Sequence, residues 1–174
     1  MRFAALLCIA ALAACAPRGG ACDINVSRDL QFTQANAEEK VTVSSSGPSC
    51  DKAILHFAIR DAEGRPVWAW TSPLERAFGD AIDTSEPAHV REFLERWASP
   101  TTLSTTSTAP PFRALVPGQT TLDQLTYEDI RARNLPMLCH LSGTARETCV
   151  FWEPAAGGAG HLLDREIVTE ETTE

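Results

Sequence analysis

Residues 53–71, AILHFAIRDAEGRPVWAWT, contain the strongest folding signal in the chain. Leu55, Phe57 and Ile59 occupy every second position of the first segment, which is the period of a β-strand with one buried face. Asp61 and Gly64 bound a four-residue turn, and glycine tolerates the backbone angles that tight turns require. The stretch therefore predicts an antiparallel β-hairpin.

The return strand of this hairpin carries Trp68 and Trp70, which an alternating strand places on the same face. If Arg60 pairs with Arg65, Trp68 lies opposite Phe57. The predicted role of both tryptophans is to fill a core beside Phe57. The alternative is that they form an exposed platform on which a sugar ring stacks.

A second hairpin is predicted near the C-terminus, where two strand-like segments flank a turn at residues 143–145. Pairing Ser142 with Arg146 across this turn places Cys139 directly opposite Cys149. Directly opposed residues have Cα atoms about 4.5 to 5.5 Å apart, a distance that a disulfide can span.

The chain has six cysteines, of which Cys8 falls in an N-terminal leader of residues 1–14 and Cys15 directly follows it. An even number of remaining cysteines in an exported chain indicates disulfides. Because the second hairpin pairs Cys139 with Cys149, elimination pairs Cys22 with Cys50. A zinc site is the alternative, but the chain has no C-x-x-C motif and His140 should point away from Cys139. We therefore predict no metal and no other cofactor.

Weaker patterns of alternating apolar residues predict further strands at residues 23–27, 39–45 and 161–168. Residues 99–112 contain eight Ser or Thr and three Pro, and they have few large apolar side chains. Such a segment is expected to be a loop or a mobile cover.

Two helices are predicted between these strands. Ser85 is expected to cap a helix that runs to about Ala98, and Thr126 is expected to cap a short helix that ends near Arg133. The first helix has four apolar residues at the i, i+3, i+4, i+7 spacing of a buried stripe: Val90, Phe93, Leu94 and Trp97.

Residues 1–14 combine Arg2 with an apolar run of about a dozen residues. This run suits a signal peptide and is too short for a transmembrane helix, which needs roughly 20 apolar residues. Its end, Leu12-Ala13-Ala14-Cys15, resembles the lipobox of bacterial lipoproteins. The resemblance implies that Cys15 becomes the N-terminus and carries acyl chains, such as palmitate, that anchor the protein. The alternative is an ordinary leader in which Cys15 is incidental.

The lipobox resemblance also implies a domain organisation. Residues 15–22 would form a lipid anchor and tether, residues 23–168 a single β-rich domain, and residues 169–174 an acidic tail. A tether of roughly seven residues reaches at most about 25 Å, so the domain is expected to lie close to its membrane. Ala16 follows the cysteine where lipoproteins of the inner membrane commonly have Asp. The expected location is therefore the cell outer membrane, with the domain in the periplasm.

The chain has 15 basic and 23 acidic residues and a formal net charge of -8. This charge argues against a nucleic-acid partner and against electrostatic docking on an anionic membrane. It favours a basic partner, a class that includes many cell-wall lytic enzymes.

The hairpin at residues 57–71, together with Phe78 and the L-x-P-G turn at residues 115–118, resembles the BsuPI-type proteinase-inhibitor domains. Those domains are small immunoglobulin-like β-sandwiches. The resemblance implies a mainly β fold of that class, here with an inserted amphipathic helix and a disulfide-stapled C-terminal hairpin. It also implies a binding or inhibitory role.

Ser142, Gly143 and Arg146 resemble the Ser-Gly loop of periplasmic lysozyme-inhibitor lipoproteins, which share a lipid anchor and disulfides. The alternative is that Gly143 only provides the backbone angles of the hairpin turn. These three residues and the tryptophans Trp68 and Trp70 are the candidate binding residues.

The chain lacks the G-x-S-x-G, H-E-x-x-H, P-loop and G-x-G-x-x-G motifs, so no catalytic residue is predicted. The expected function is a lipid-anchored envelope module that binds a protein or has a structural role. Inhibition of a hydrolase is the more specific hypothesis. The alternative is an envelope enzyme whose site residues are dispersed in the sequence. Polar side chains that converge in one pocket would favour an enzyme, whereas a groove or flat face would favour a binding module.

Overall fold

The computed structural model describes residues 21–34, 36–99 and 103–167, and this part of the protein is mainly β. The leader, Cys15 and the acidic tail lie outside the described residues. None of the helices in the described part is long and apolar enough to cross a membrane.

Four consecutive strands form the first antiparallel sheet, in the order in which they follow one another along the chain. They are β1 (Ile24–Leu30), β2 (Glu39–Ser46), β3 (Ile54–Arg60) and β4 (Pro66–Pro73). Burial alternates along β2, where Val41 and Val43 are buried whereas Lys40 is exposed, and Leu55, Phe57 and Ile59 of β3 belong to the same buried cluster. The sheet therefore has one apolar face.

Two helices follow β4: α1 (Leu74–Phe78) and α2 (Pro87–Trp97). The predicted stripe of four apolar residues on α2 is confirmed as buried. The predicted cap is wrong, because the helix begins at Pro87, whose fixed φ suits a first helical position. The backbone N–H of Ser85 instead donates to the Asp83 carboxylate at 2.9 Å.

The second antiparallel sheet also follows the order of the chain. Its strands are β5 (Leu103–Thr105), β6 (Pro136–Gly143), β7 (Arg146–Glu153) and β8 (Gly158–Glu166). Helix α3 (Gln124–Ala132) lies between β5 and β6 in the chain. Its cap is Asp123, whose carboxylate accepts the backbone N–H of Thr126 at 2.9 Å, so the prediction of Thr126 as the cap is wrong.

The two sheets pack against each other through one buried cluster. Leu138 and Val150 of the second sheet belong to the same cluster as the apolar face of the first sheet and α2. The predicted mainly β fold, a two-sheet sandwich with an inserted helix and a stapled hairpin, is therefore confirmed. Immunoglobulin sandwiches connect their strands as Greek keys, whereas each sheet here is a simple meander, so the likeness does not extend to strand order.

A second cluster covers the other face of the second sheet. Tyr127 and Ile130 of α3 pack there against Met137, Phe151 and other residues of β6, β7 and β8. The second sheet is thus covered on both faces, which explains the near-continuous burial along β6 and β7.

Both predicted disulfides are present. Cys22 and Cys50 are joined with a Cα–Cα distance of 5.0 Å, and Cys139 and Cys149 with one of 4.0 Å. Cys139 lies directly opposite Cys149 in the β6–β7 ladder, as predicted. Ser142 does not pair with Arg146, because an irregularity between Leu141 and Gly143 leaves Gly143 in that position.

The predicted register of the first hairpin is wrong by two residues. The backbone N–H of Asp61 donates to the Arg65 carbonyl, so Asp61 rather than Arg60 closes the turn. This turn shifts the pairing by one residue, and an irregularity between Ile59 and Arg60 shifts it by one more. Trp70 therefore lies opposite Phe57. A shift of two residues keeps each side chain on its predicted face, because the side-chain period of a strand is two.

The prediction that residues 99–112 form a loop is wrong for much of the segment. Residues 103–105 form β5, and Thr106 is fully buried. The Thr106 hydroxyl donates to the Ile130 carbonyl at 2.8 Å and accepts the Leu135 N–H at 3.0 Å. Hydrogen bonds of this buried threonine thus replace the missing apolar side chains.

Candidate binding site

A surface depression of about 310 Å³ lies where β4 meets the second sheet. Seven residues line this tryptophan depression: Trp68, Trp70, Ser142, Arg146, Thr148, His161 and Asp164. Four of the five candidate binding residues are therefore brought together. The fifth, Gly143, lies in β6 beside them and does not line the depression.

The two tryptophans are held at one edge by the core. The Trp68 indole N–H donates to Nε2 of His140 at 3.1 Å, and the Trp70 ring meets the Trp97 ring edge to face at 5.7 Å. Both are half-buried and pack against the main cluster, as predicted. The parts that stay exposed line the depression, so its aromatic wall has little freedom to move.

His140 supports this wall from beneath. Its ring is 3% exposed and stacks on Phe57, with ring centroids 4.2 Å apart. Nδ1 lies 2.9 Å from the Leu141 carbonyl, which can only accept, while Nε2 faces an indole N–H that can only donate. These two partners fit the neutral tautomer with the proton on Nδ1. Burial lowers the pKa of His140 to about 4, so the ring is neutral at pH 7.

A network of charged and polar groups forms the opposite wall. The Asp164 carboxylate accepts from Arg146 at 2.6 Å and from the Thr148 hydroxyl at 2.7 Å, and His161 Nε2 lies 3.4 Å away. Burial raises the pKa of the Asp164 carboxyl, but the hydrogen bonds from Thr148 and Arg146 outweigh it and hold the pKa below its ordinary value. The carboxylate is therefore ionised and fixed in place at neutral pH.

The ion pair of Arg146 and Asp164 also borders a neighbouring groove of about 600 Å³. Residues 116–119 form one side of that groove, and Ala145 with the end of β8 forms the other. Because the two concavities share this pair, they form one extended surface.

Ser142 is unsuited to act as a nucleophile, although serine, histidine and aspartate all line the depression. Its Oγ is buried and has no hydrogen-bond partner among the described residues. His161 directs Nε2 toward Asp164, which leaves that nitrogen turned to the carboxylate rather than to a serine. His161 and Asp164 lie close to each other, but among the described residues neither bonds to Ser142, so the nucleophile–base hydrogen bond of a catalytic centre is not formed and the arrangement favours a binding surface.

Close packing, rather than its backbone angles, favours glycine at position 143. A Cβ at this position would lie 3.3 Å from the backbone carbonyl oxygen of Ala77, which lies in α1. Its φ is not among the positive values found in the chain. The prediction that the turn needs glycine for its angles is therefore wrong.

Sequence reasoning missed Thr148, His161 and Asp164. Alternation along β7 could have placed Thr148 on the same face as Arg146, because the two are two residues apart. The register that sets Thr148 opposite Asp164 depends on pairing between β7 and β8, which no local pattern in the sequence specifies.

Within the described residues, no group of three or more His, Cys, Asp or Glu side chains is arranged to hold a metal ion.

Neither protein-family models, nor curated proteins, nor solved structures match the chain. The chemistry of the tryptophan depression is therefore the basis of the function proposed below.

Proposed function

We propose that this protein is a lipid-anchored cell-envelope module that binds a protein partner through the tryptophan depression, and that the partner is a hydrolase which it inhibits. The observation that carries the proposal is the convergence of Trp68 and Trp70 with Arg146, although the two hairpins are far apart in the chain.

The residue types favour recognition of a protein. Tryptophan and arginine are the side chains that most often dominate the energy of protein interfaces. The Arg146 side chain is 57% exposed while its partner Asp164 is 20% exposed, so the guanidinium presents unused donors to a partner. A surface that continues into a second groove suits a protein loop better than a single small molecule.

The wall of the depression is ordered before binding. Trp68 is fixed by His140, and Arg146 is fixed by Asp164. Binding then costs less side-chain entropy, since about 0.5 to 1.5 kcal/mol is lost for each mobile side chain that becomes immobilised. Such preorganisation is typical of inhibitors that present a rigid surface.

The β6–β7 turn is the part of the molecule that would block the hydrolase. Thr144 and Ala145 are exposed at its tip, directly beside Arg146. The Thr144 hydroxyl donates to the Phe78 carbonyl at 3.1 Å, and the neighbouring Cys139–Cys149 disulfide joins the two strands that carry the turn. A rigid turn of this kind can enter the cleft of a hydrolase.

The anchor is tested by replacing Cys15 with alanine. We expect Cys15→Ala to move the protein from the detergent phase to the aqueous phase on partitioning, because the acyl chains would be absent. Cys8→Ala is the matched control, since Cys8 lies within the apolar run and should not be lipidated. Retention of Cys15→Ala in the detergent phase would contradict the proposed anchor.

The binding surface is tested by photo-crosslinking in intact cells, with a benzophenone amino acid placed at Ala145 in the groove. We expect a covalent adduct with one envelope hydrolase, and Arg146→Ala should weaken that adduct by roughly tenfold or more. Leu125 is the control position, because it is 85% exposed on α3, which covers the opposite face of the second sheet.

Three outcomes would count against the proposal. The same adduct from Leu125 would show that capture does not depend on the depression. Capture of a partner other than a hydrolase would contradict the proposed inhibition. Turnover of a small substrate by the purified protein would contradict the binding module and indicate an enzyme.

A further inference from the structure

A second concavity of about 270 Å³ lies at the edge of the main cluster, between the first sheet, the end of α2 and β6, and it is partly open to solvent. Apolar side chains from all three line most of it: Val41, Phe57, Phe93, Trp97, Leu138 and Leu141. Arg96, Ala98 and Ser99 border it at the end of α2. This core cavity shares no lining residue with the tryptophan depression, although His140 and Trp97, which line the cavity, contact Trp68 and Trp70.

The size of the core cavity suits one small molecule. An apolar cavity of about 150 Å³ is sufficient to bind benzene, so 270 Å³ has room for a ring with one or two small substituents. The apolar walls of the core cavity are partly exposed to water, and covering apolar surface is favourable. A ligand that fills it would therefore stabilise the native state.

The polar atoms inside the cavity already have partners. Both nitrogens of His140 are bonded, and the Trp97 indole N–H donates to the Leu141 carbonyl at 3.1 Å. A charged group on a ligand would be buried with no counter-charge inside the cavity, which is strongly unfavourable. The lining thus selects against ligands whose charge must enter it.

Neither sign of charge finds a net counter-charge at the border of the cavity, because Arg96 and the C-terminal end of α2 carry opposite charges that largely offset each other. The C-terminal end of α2 at Ala98 carries the partial negative charge of a helix terminus, which disfavours an anion. The guanidinium of Arg96 lies at the same end and disfavours a cation, although it is paired with Glu92 at 2.7 Å. An uncharged molecule meets neither penalty.

We propose that the core cavity is a binding site for an uncharged hydrophobic molecule about the size of a substituted benzene ring. The aromatic rings of Phe57, Phe93 and Trp97 would contact its faces and edges. The proposal does not depend on the function of the tryptophan depression, because the two concavities use different walls.

The test compares three probes of similar shape and different charge: toluene, benzoate and benzylammonium. The full chain carrying Cys15→Ala is used, so that no detergent competes for the cavity. We expect toluene to bind saturably, to shift the methyl NMR signals of Leu138 and Leu141, and to raise the thermal unfolding midpoint. Benzoate and benzylammonium should each bind at least about tenfold more weakly.

A cavity-filling variant provides the second measurement. Ala98→Val adds two methyl carbons to the border of the cavity and should weaken toluene binding about fivefold or more. Ala109→Val is the matched control, because Ala109 is also buried but belongs to the second cluster. Absence of a saturable toluene shift would overturn the proposal, as would equal binding of all three probes or equal effects of the two variants.

Discussion

Replacing Cys22 and Cys50 together by alanine is expected to lower the free energy of unfolding by roughly 3.6 kcal/mol, the chain-entropy value for a closed loop of about 29 residues. Native domains are stable by about 5 to 15 kcal/mol, so this loss is a large share of the total. The variant should therefore unfold at a much lower urea concentration than the parent protein.

The position of this disulfide supports the size of the effect. β1 is an edge strand of the first sheet, and Cys22 lies two residues before its first residue. Cys22 is fully buried, and its carbonyl accepts the Ser45 hydroxyl at 2.8 Å. Loss of the disulfide removes the covalent link that holds the start of this edge strand to the β2–β3 connection.

The matched control replaces Cys139 and Cys149 by alanine. The chemical change is the same and both cysteines are buried, but the loop is only about 11 residues, for which the expected loss is roughly 2.8 kcal/mol. These residues are also held opposite each other by the β6–β7 ladder. Urea denaturation of both variants measures the difference, and a larger loss for the Cys139/Cys149 variant would contradict the ranking.

The β6–β7 hairpin and its Cys139–Cys149 disulfide could be predicted because their determinants are local, and the Cys22–Cys50 disulfide then followed by elimination. The predicted turn at residues 143–145 is short and sets Cys139 opposite Cys149, and this pair is found although Gly143 rather than Ser142 pairs with Arg146. The stripe on α2 could be predicted for a similar reason, since helical spacing alone defines it.

The register of the first hairpin could not be predicted from the same kind of pattern. Alternation is unchanged by a shift of two residues, so it identified the faces of Trp68 and Trp70 but not their partners. Gly64 adopts a φ of 80°, and the turn it completes places Asp61 opposite Arg65. The closure of the turn by Asp61 and the irregularity after Ile59 both depend on backbone geometry, which composition does not reveal.

The candidate site and β5 depend on contacts between distant parts of the chain. Asp164 reaches Arg146 and Thr148 only because β8 pairs with β7 in one particular register. Thr106 is buried only because Ile130 and Leu135 supply its hydrogen-bond partners. A local composition rich in Ser, Thr and Pro indicates a loop, and tertiary hydrogen bonding overrides that indication.

Lowering the pH from 7 to 4 is expected to destabilise the protein through His140. The folded state keeps the ring neutral down to a pKa of about 4, whereas the unfolded chain protonates it near 6.5. The unfolded state therefore binds more protons between these two values, and the stability that the neutral ring provides at pH 7 is lost as the pH falls through this window. A difference of about 2.5 pKa units corresponds to about 3 kcal/mol.

The physical cause lies in the surroundings of the ring. Desolvation disfavours the imidazolium, and a proton on Nε2 would face the indole N–H of Trp68 donor to donor. Protonation should therefore also release Trp68 from its position in the tryptophan depression.

His140→Gln separates this effect from the titration of carboxylates. The glutamine amide can accept from Trp68 and donate to the Leu141 carbonyl, but it does not titrate. Urea denaturation at pH 7 and pH 4 should show that the parent protein loses about 3 kcal/mol more than the variant, because the carboxylates contribute equally to both. If the two proteins lose the same stability over this interval, the pKa of His140 is not lower in the folded state than in the unfolded state, and the prediction is wrong.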